Sequence, residues 1–233
     1  MSHTALAYRL PRILRNQVLH FEGLIEAAVS QFALDLENGA RVLDAGAGES
    51  RHAVEFKRQH YIAVDLAVGD SQWNYRKLDC IADLAALPFA PNSFDAVLNI
   101  VTLEHLREPA EALREIARVL RPGAPLLIAA PHEWEVHQSP HDFFRYTRHG
   151  LQHLLEAGGF ADIRITPAGG YFRLLSRRLL NGLQFFVGGA RWLLFLPAAA
   201  VLVPAALLLP AFDGLDRDKN FTLGYLCTAK RCF

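Results

Sequence analysis

ARVLDAGAGES, residues 40–50, decides how the rest of the chain is read. Its first half is a short apolar run ending in glycine, the pattern of a strand buried on both faces of a parallel sheet. Its glycines, Gly46 and Gly48, let the backbone turn sharply and let a ligand approach it closely. Upstream, Leu19, Ile25, Ala28, Val29, Phe32 and Leu36 recur at helical spacing across 16–36, and Asn38-Gly39 ends that helix. Downstream, a short helix is expected near 50–58. HYIAVDL (60–66) follows as a second strand ending in an acid, and RKLDCIADL (76–84) holds a third strand or a loop. SFDAVLNIVTLEHL (93–106) starts with a fourth strand, a helix covers 108–120, and APLLIAAP (124–131) is the fifth strand. In that helix Pro109 suits the first turn, and Ala112, Leu113, Ile116, Ala117 and Leu120 form the buried stripe. A helix at 149–160, a strand at ADIRITPA (161–168) and a last strand at LGYLCTAKR (223–231) complete the pattern. Strands alternating with helices predict an α/β fold with a doubly wound, mostly parallel, seven-stranded sheet.

Lys plus Arg equals Asp plus Glu at 24 each, so the basic excess of a general nucleic-acid binder is missing and no nucleic-acid partner is expected. Cys80, Cys227 and Cys232 are odd in number and have neither paired nor metal-like spacing, which favours a reducing cytoplasm. The stretch MSHTALAYRLPRIL has no apolar run and no small-residue cleavage site, so no signal peptide is expected.

Ligands of such sheets sit beyond the carboxyl ends of the strands. Three features collect there: the loop Asp44–Ser50, Asp65 placed 19 residues after Gly46, and Asp83 in DLAALPF. A carboxylate at Asp65 can accept both hydroxyls of a ribose, and the chain at Asp83 can meet an adenine amino group. A dinucleotide site would need Gly or Ala where Arg51 stands, and a run of exposed amides for the pyrophosphate. A ligand with ribose and adenine but no phosphate fits better.

VLDAGAGES, YIAVDL and ADLAALPFAPNSFDAVLNIVTLEHLREPAEALREIARVLRPGAPLLIAAP together resemble the class I S-adenosylmethionine-dependent methyltransferases, in the subgroup that methylates quinones, glycans and small molecules. The resemblance covers about 40–165 and resumes at 221–231. It implies a Rossmann-like sheet with an antiparallel last strand, and S-adenosyl-L-methionine as cofactor. It places Asp44, Gly46 and Gly48 at the methionine part, Asp65 at the ribose, and Asp83 with Leu84 at the adenine; Asn99 is also assigned to the cofactor side. Ala124 departs from the usual second glycine after Gly123.

The acceptor must be placed in line with the methyl and, for a hydroxyl, deprotonated. Two segments suit this: Asn99–His105 after the fourth strand, and PHEWEVHQSPHDFFRYT (131–147) after the fifth. His141 or His132 is the expected base, with His105 next; Tyr146 and Arg145 would orient the acceptor. The same loop side chains would equally serve to hold backbone over the cofactor, and His105 to cap the helix at 108. HEWEVH has one residue more than H-E-x-x-H, which puts His132 and His137 about 140° out of register on a helix, and Pro140 interrupts His137 and His141. No metal site is therefore expected from this segment.

Three parts are expected: a cofactor-binding core at 1–170 with its N-terminal helix, an apolar helical insertion at 171–220, and the last strand at 221–233. The insertion begins with a basic amphipathic stretch and continues as LLFLPAAAVLVPAALLLPAF (193–212), long enough to span about 30 Å of hydrocarbon. A single crossing would separate the last strand from its own sheet. The segment must therefore turn back near Pro204, form two antiparallel helices joined at Gly188-Gly189, lie flat, or pack in a dimer interface. Peripheral contact through 172–212 with the inner face of the cytoplasmic membrane is expected, with a small-molecule or lipid-linked acceptor. A soluble enzyme using the insertion as a lid or homodimer interface, and a non-catalytic cofactor-binding scaffold, are the alternatives.

Overall fold

A computed structural model describes residues 19–70 and 72–233. The first three residues of the predicted helix and the stretch read for a signal peptide lie outside the described residues. The described residues divide into two compact units, one built from residues 25–166 and 224–233, the other from 19–24 and 167–223.

The larger unit holds strands β1 (Arg41–Ala45), β2 (His60–Asp65), β3 (Cys80–Ile81), β4 (Ala96–Ile100), β5 (Pro125–Pro131), β6 (Phe160–Pro167) and β7 (Gly224–Arg231) in the order β3-β2-β1-β4-β5-β7-β6. β1 runs parallel to β2 and β4, β4 parallel to β5, and β7 antiparallel to β5, as the family resemblance implies. The third strand is only two residues long, and the helix expected at 50–58 is a single 3-10 turn over Arg51–Val54. Every residue of β4 is buried, which is why its sequence shows no polar alternation.

The helices around these strands are, in chain order, α1 (His20–Asp35), which spans the boundary between the units, α2 (Pro109–Val119) and α3 (Arg148–Ala157). Pro109 opens α2, where its missing N–H costs nothing, and Leu113 and Ile116 are fully buried from it. The Thr147 hydroxyl caps α3 by accepting from Gly150 N at 3.0 Å, and Gly159 at φ +89° ends the turn after it. A Cβ on Gly158 would lie 3.1 Å from Leu113, so the glycine stop also lets α3 approach α2 closely.

Chain order departs outward on both sides of β1, and this reversal opens the crevice between the carboxyl ends of β1 and β4. Ala45 pairs with Val64, so Gly46 and Asp65 leave the sheet side by side.

The smaller unit is a helical hairpin. α4 (Tyr171–Gly182) continues as a 3-10 turn to Phe186, the chain reverses at Gly188 and Gly189 with φ +106° and +57°, and α5 (Trp192–Leu208) runs back before a 3-10 stretch, Leu209–Leu215. No turn occurs at Pro204, because α5 carries both Pro197 and Pro204 inside it. Each proline deprives a carbonyl four residues earlier of its donor. For Pro210 that carbonyl is Ala206, and the buried Ser176 hydroxyl of α4 donates to it at 2.6 Å. Asp213 caps α4 from a distance, its carboxylate accepting from Gly170 N and Arg173 N. Gly189–Leu215 forms a helix long and apolar enough by length and composition to cross a membrane, and almost none of it is buried within the chain.

Candidate active site

The cavity at the end of the sheet measures about 360 Å³ and lies wholly within the larger unit. Its floor is the turn after β1. Gly46 sits at φ +92°, and its N–H and that of Ala47 both donate to Val64 O, at 2.8 and 3.0 Å. A Cβ there would come within 2.2 Å of the Thr102 side chain, so no other residue fits. Gly48, at φ +53°, donates its N–H to Asp65 Oδ2 at 2.9 Å, and the ring of Trp73 lies over it. Asp65 Oδ1 accepts from Ala67 N at 2.8 Å. The carboxylate thus fixes two loops while each oxygen keeps a lone pair toward the cavity that it lines. Asp83 and Leu84 line the same cavity from the turn after β3, where Asp83 Oδ1 accepts from Ala85 N.

The wall charges decide between candidate ligands. Glu49, Asp65 and Asp83 face Arg51, three acids against one guanidinium. His52, also in the wall, adds no charge near neutral pH, because burial and then Arg51 lower its pKa to about 4. A wall with a net charge of −2 disfavours a pyrophosphate and favours a cation.

The known proteins this chain is similar to agree. The methyltransferase-domain family matches residues 43–128. A demethylmenaquinone methyltransferase of Renibacterium salmoninarum is 41% identical over 97 residues, covering 39% of this chain and 41% of that protein. The chain therefore spans about two-fifths of the length of that relative. A "Probable S-adenosylmethionine-dependent methyltransferase" of Mycobacterium tuberculosis is 29% identical over 209 residues, 82% of this chain and 76% of that protein. Among solved structures, the [4+2]-cyclase SpnF matches with a TM-score of 0.56 at 21% identity, covering 89% of this chain and 80% of that one, a likeness of fold alone.

Residues 43–128 carry a methyltransferase domain, and the sheet around them has the fold of the class I S-adenosylmethionine-dependent methyltransferases.

Two residues assigned to the cofactor stand behind the wall of this methyltransferase domain. Asn99 is fully buried in β4 and its amide donates to Ala45 O at 2.7 Å, tying β4 to β1 beneath the loop. Asp44 is also fully buried, and the Tyr61 hydroxyl donates to its Oδ2. Burial pushes the Asp44 pKa up to about 7, against the pull of Tyr61 and Arg51. Between the ordinary carboxylate range and about 7 the folded chain holds a proton that the unfolded chain has released, so this group makes stability fall as pH rises through that window. Asp44→Asn is expected to remove that fall. Urea unfolding of both proteins at pH 5 and 7.5 isolates it from His20 and His52, whose lowered values act in the opposite direction.

On the acceptor side of the methyltransferase domain, His105 and His141 line the cavity together with Gln138. His105 Nδ1 meets the His141 carbonyl, and the Phe143 and Phe144 amides donate to Glu104 O at 2.9 and 3.2 Å, which fastens the loop after β5 to the turn after β4. His132 is not in the wall; its ring lies 5.6 Å from Tyr225. Arg145 and Tyr146 do not reach the cavity either. The Arg145 guanidinium is taken up by both Asp142 oxygens and the carbonyls of Glu135 and Phe144, and the buried Tyr146 hydroxyl donates to Leu103 O at 2.8 Å. They shape the loop rather than touch an acceptor. Trp73, Glu49 and Gln138 are wall residues that sequence reasoning missed. Trp73 and Gln138 stand in irregular loops whose patterning carries no period, and Glu49, inside the motif itself, reaches out to accept from Asn74 N at 3.0 Å.

Proposed function

We propose that the chain methylates a hydroxyl of an amphipathic, lipid-linked acceptor at the cytoplasmic face of the membrane. The observation that carries this reading is the apolar hairpin, which leaves after β6 and returns to β7 of the same sheet while α5 exposes Leu193, Leu196 and Val201 by 81, 74 and 67%. An apolar surface of this extent is a contact surface, and a helix that returns to its own side lies along a membrane rather than through it. The relative from Renibacterium salmoninarum, named for a menaquinone precursor, is in keeping with an acceptor carried in lipid.

Bound in the cavity, S-adenosylmethionine supplies an electrophilic methyl group on a sulfonium sulfur. Asp65 would accept from the ribose hydroxyls, Asp83 and Leu84 would hold the adenine, and the turn at Gly46 and Gly48 would admit the methionine part. The acidic wall complements the sulfonium charge. His141, in the wall and next to His105, would take the acceptor proton as the oxygen–methyl bond forms and the sulfur–methyl bond breaks, leaving the neutral thioether S-adenosylhomocysteine.

Incubation with methyl-tritiated S-adenosylmethionine and a total membrane lipid extract tests this. Label is expected in an organic-phase product, lost in His141→Ala. Label appearing only in products from an aqueous metabolite extract would contradict the lipid-linked acceptor.

A further inference from the structure

Behind the acceptor side of the cavity, one carboxylate and two imidazoles converge. Glu104 is fully buried, and neither of its carboxylate oxygens has a hydrogen-bond partner. His105 Nε2 lies 3.6 Å and His137 Nε2 3.7 Å from Glu104 Oε1, and both nitrogens are buried and unpartnered. These distances are too long for hydrogen bonds.

The other ring nitrogens fix the tautomers. His105 Nδ1 faces the His141 carbonyl, which can only accept. His137 Nδ1 faces the Glu135 carbonyl at 3.2 Å and Asp142 Oδ2 at 3.5 Å, again acceptors. Arg145 Nη2, also 3.5 Å away, already directs its hydrogens at Glu135 O and Asp142 Oδ2. Both Nδ1 atoms therefore carry a proton, and each Nε2 faces the Glu104 carboxylate, as a lone pair on a neutral ring or as an N–H on a protonated one. A buried carboxylate without a hydrogen-bond partner needs a positive charge beside it, either a proton on one of the two rings or a metal ion between them.

We infer that Glu104, His105 and His137 bind one divalent transition-metal ion, zinc before others. The three ligand atoms lie within 4.8 Å of one another. Tetrahedral zinc with N and O ligands needs separations of about 3.4 Å, close to the 3.6 and 3.7 Å between the carboxylate and each imidazole. Two imidazoles and one carboxylate suit zinc or a similar borderline ion rather than magnesium or calcium. Both histidines donate their second N–H to a backbone carbonyl, the support that metal-bound histidines normally have. Three protein ligands leave a fourth position for water or an acceptor oxygen. His105 belongs at once to this cluster and to the cavity wall. An acceptor hydroxyl held by the ion would be more acidic and would release its proton to His141 more readily. That last role rests on the methyl transfer proposed above; the binding of the ion does not.

The test uses the full chain stripped with EDTA. Zinc is titrated in competition with a chromophoric chelator, and cobalt(II) is followed by its visible absorption. One ion per chain is expected. His137→Ala and the isosteric Glu104→Gln should each weaken binding by about a hundredfold or more, while the exposed His149→Ala leaves it unchanged. Circular dichroism confirms that the variants fold. Absence of saturable zinc and cobalt(II) binding in the stripped protein, or binding unchanged in His137→Ala, would overturn the site. S-adenosylmethionine affinity is measured on the same samples. If the ion binds as expected while S-adenosylmethionine does not, the metal site stands and the methyl-transfer reading fails.

Discussion

Replacing Asp65 with alanine is expected to weaken S-adenosylmethionine binding by about a hundredfold or more, since two charge-assisted hydrogen bonds contribute about 1.5–3 kcal/mol each. Trp73, which lies over Gly48 in the cavity wall, gives the fluorescence signal for the titration. The loss has two sources. The ribose would lose its acceptor, and the Gly48 and Ala67 amides would lose the carboxylate that sets both loops. Asp65→Asn separates them, because a carboxamide oxygen can still accept from one amide but carries no charge. Its affinity should fall between those of the wild type and the alanine variant. Unchanged affinity in Asp65→Ala would remove the cofactor from this cavity.

The second large effect concerns the hairpin. Leu193, Leu196 and Val201 are exposed, so changing all three to glutamate removes no packing within the chain. Each side chain contributes about 1.5–3 kcal/mol when withdrawn from water, so the triple variant should lose a thousandfold or more in partitioning, roughly, before the cost of burying charge is added. In vesicle flotation the wild type is expected with the lipid and the variant in the soluble fraction. Cofactor affinity should be the same in both, since every residue lining the cavity belongs to the larger unit. If the variant floats as the wild type does, the hairpin is not the membrane contact.

The parts of this fold that repeat were legible in the sequence. Apolar runs gave the strands, the stripe of Leu113 and Ile116 gave α2, and the glycines after β1 with the acid after β2 marked the ligand end of the sheet. What was not legible depends on directions that a period does not record. Asp44 and Asn99 sit one or two residues from wall positions, yet the pleat turns them inward, to Tyr61 and to the Ala45 carbonyl. Arg145 and Tyr146 look like acceptor groups until backbone carbonyls, of Glu135 in the same loop and of Leu103 in the turn after β4, are found to occupy them. Pro204 reads as a break, but α5 runs on through it, and at the next proline the carbonyl left free is answered by Ser176, thirty residues earlier in the chain. Glu104 and His137 are brought together by the folding of two loops after neighbouring strands, and no spacing in the sequence announces that meeting.

The central claim is that this acidic, glycine-floored cavity holds a sulfonium nucleoside. Isothermal titration calorimetry of the full chain with S-adenosylmethionine, and separately with NAD, tests it most directly. The account predicts saturable binding of one S-adenosylmethionine per chain and no heat from NAD. Binding of NAD, or no binding of S-adenosylmethionine, would contradict it.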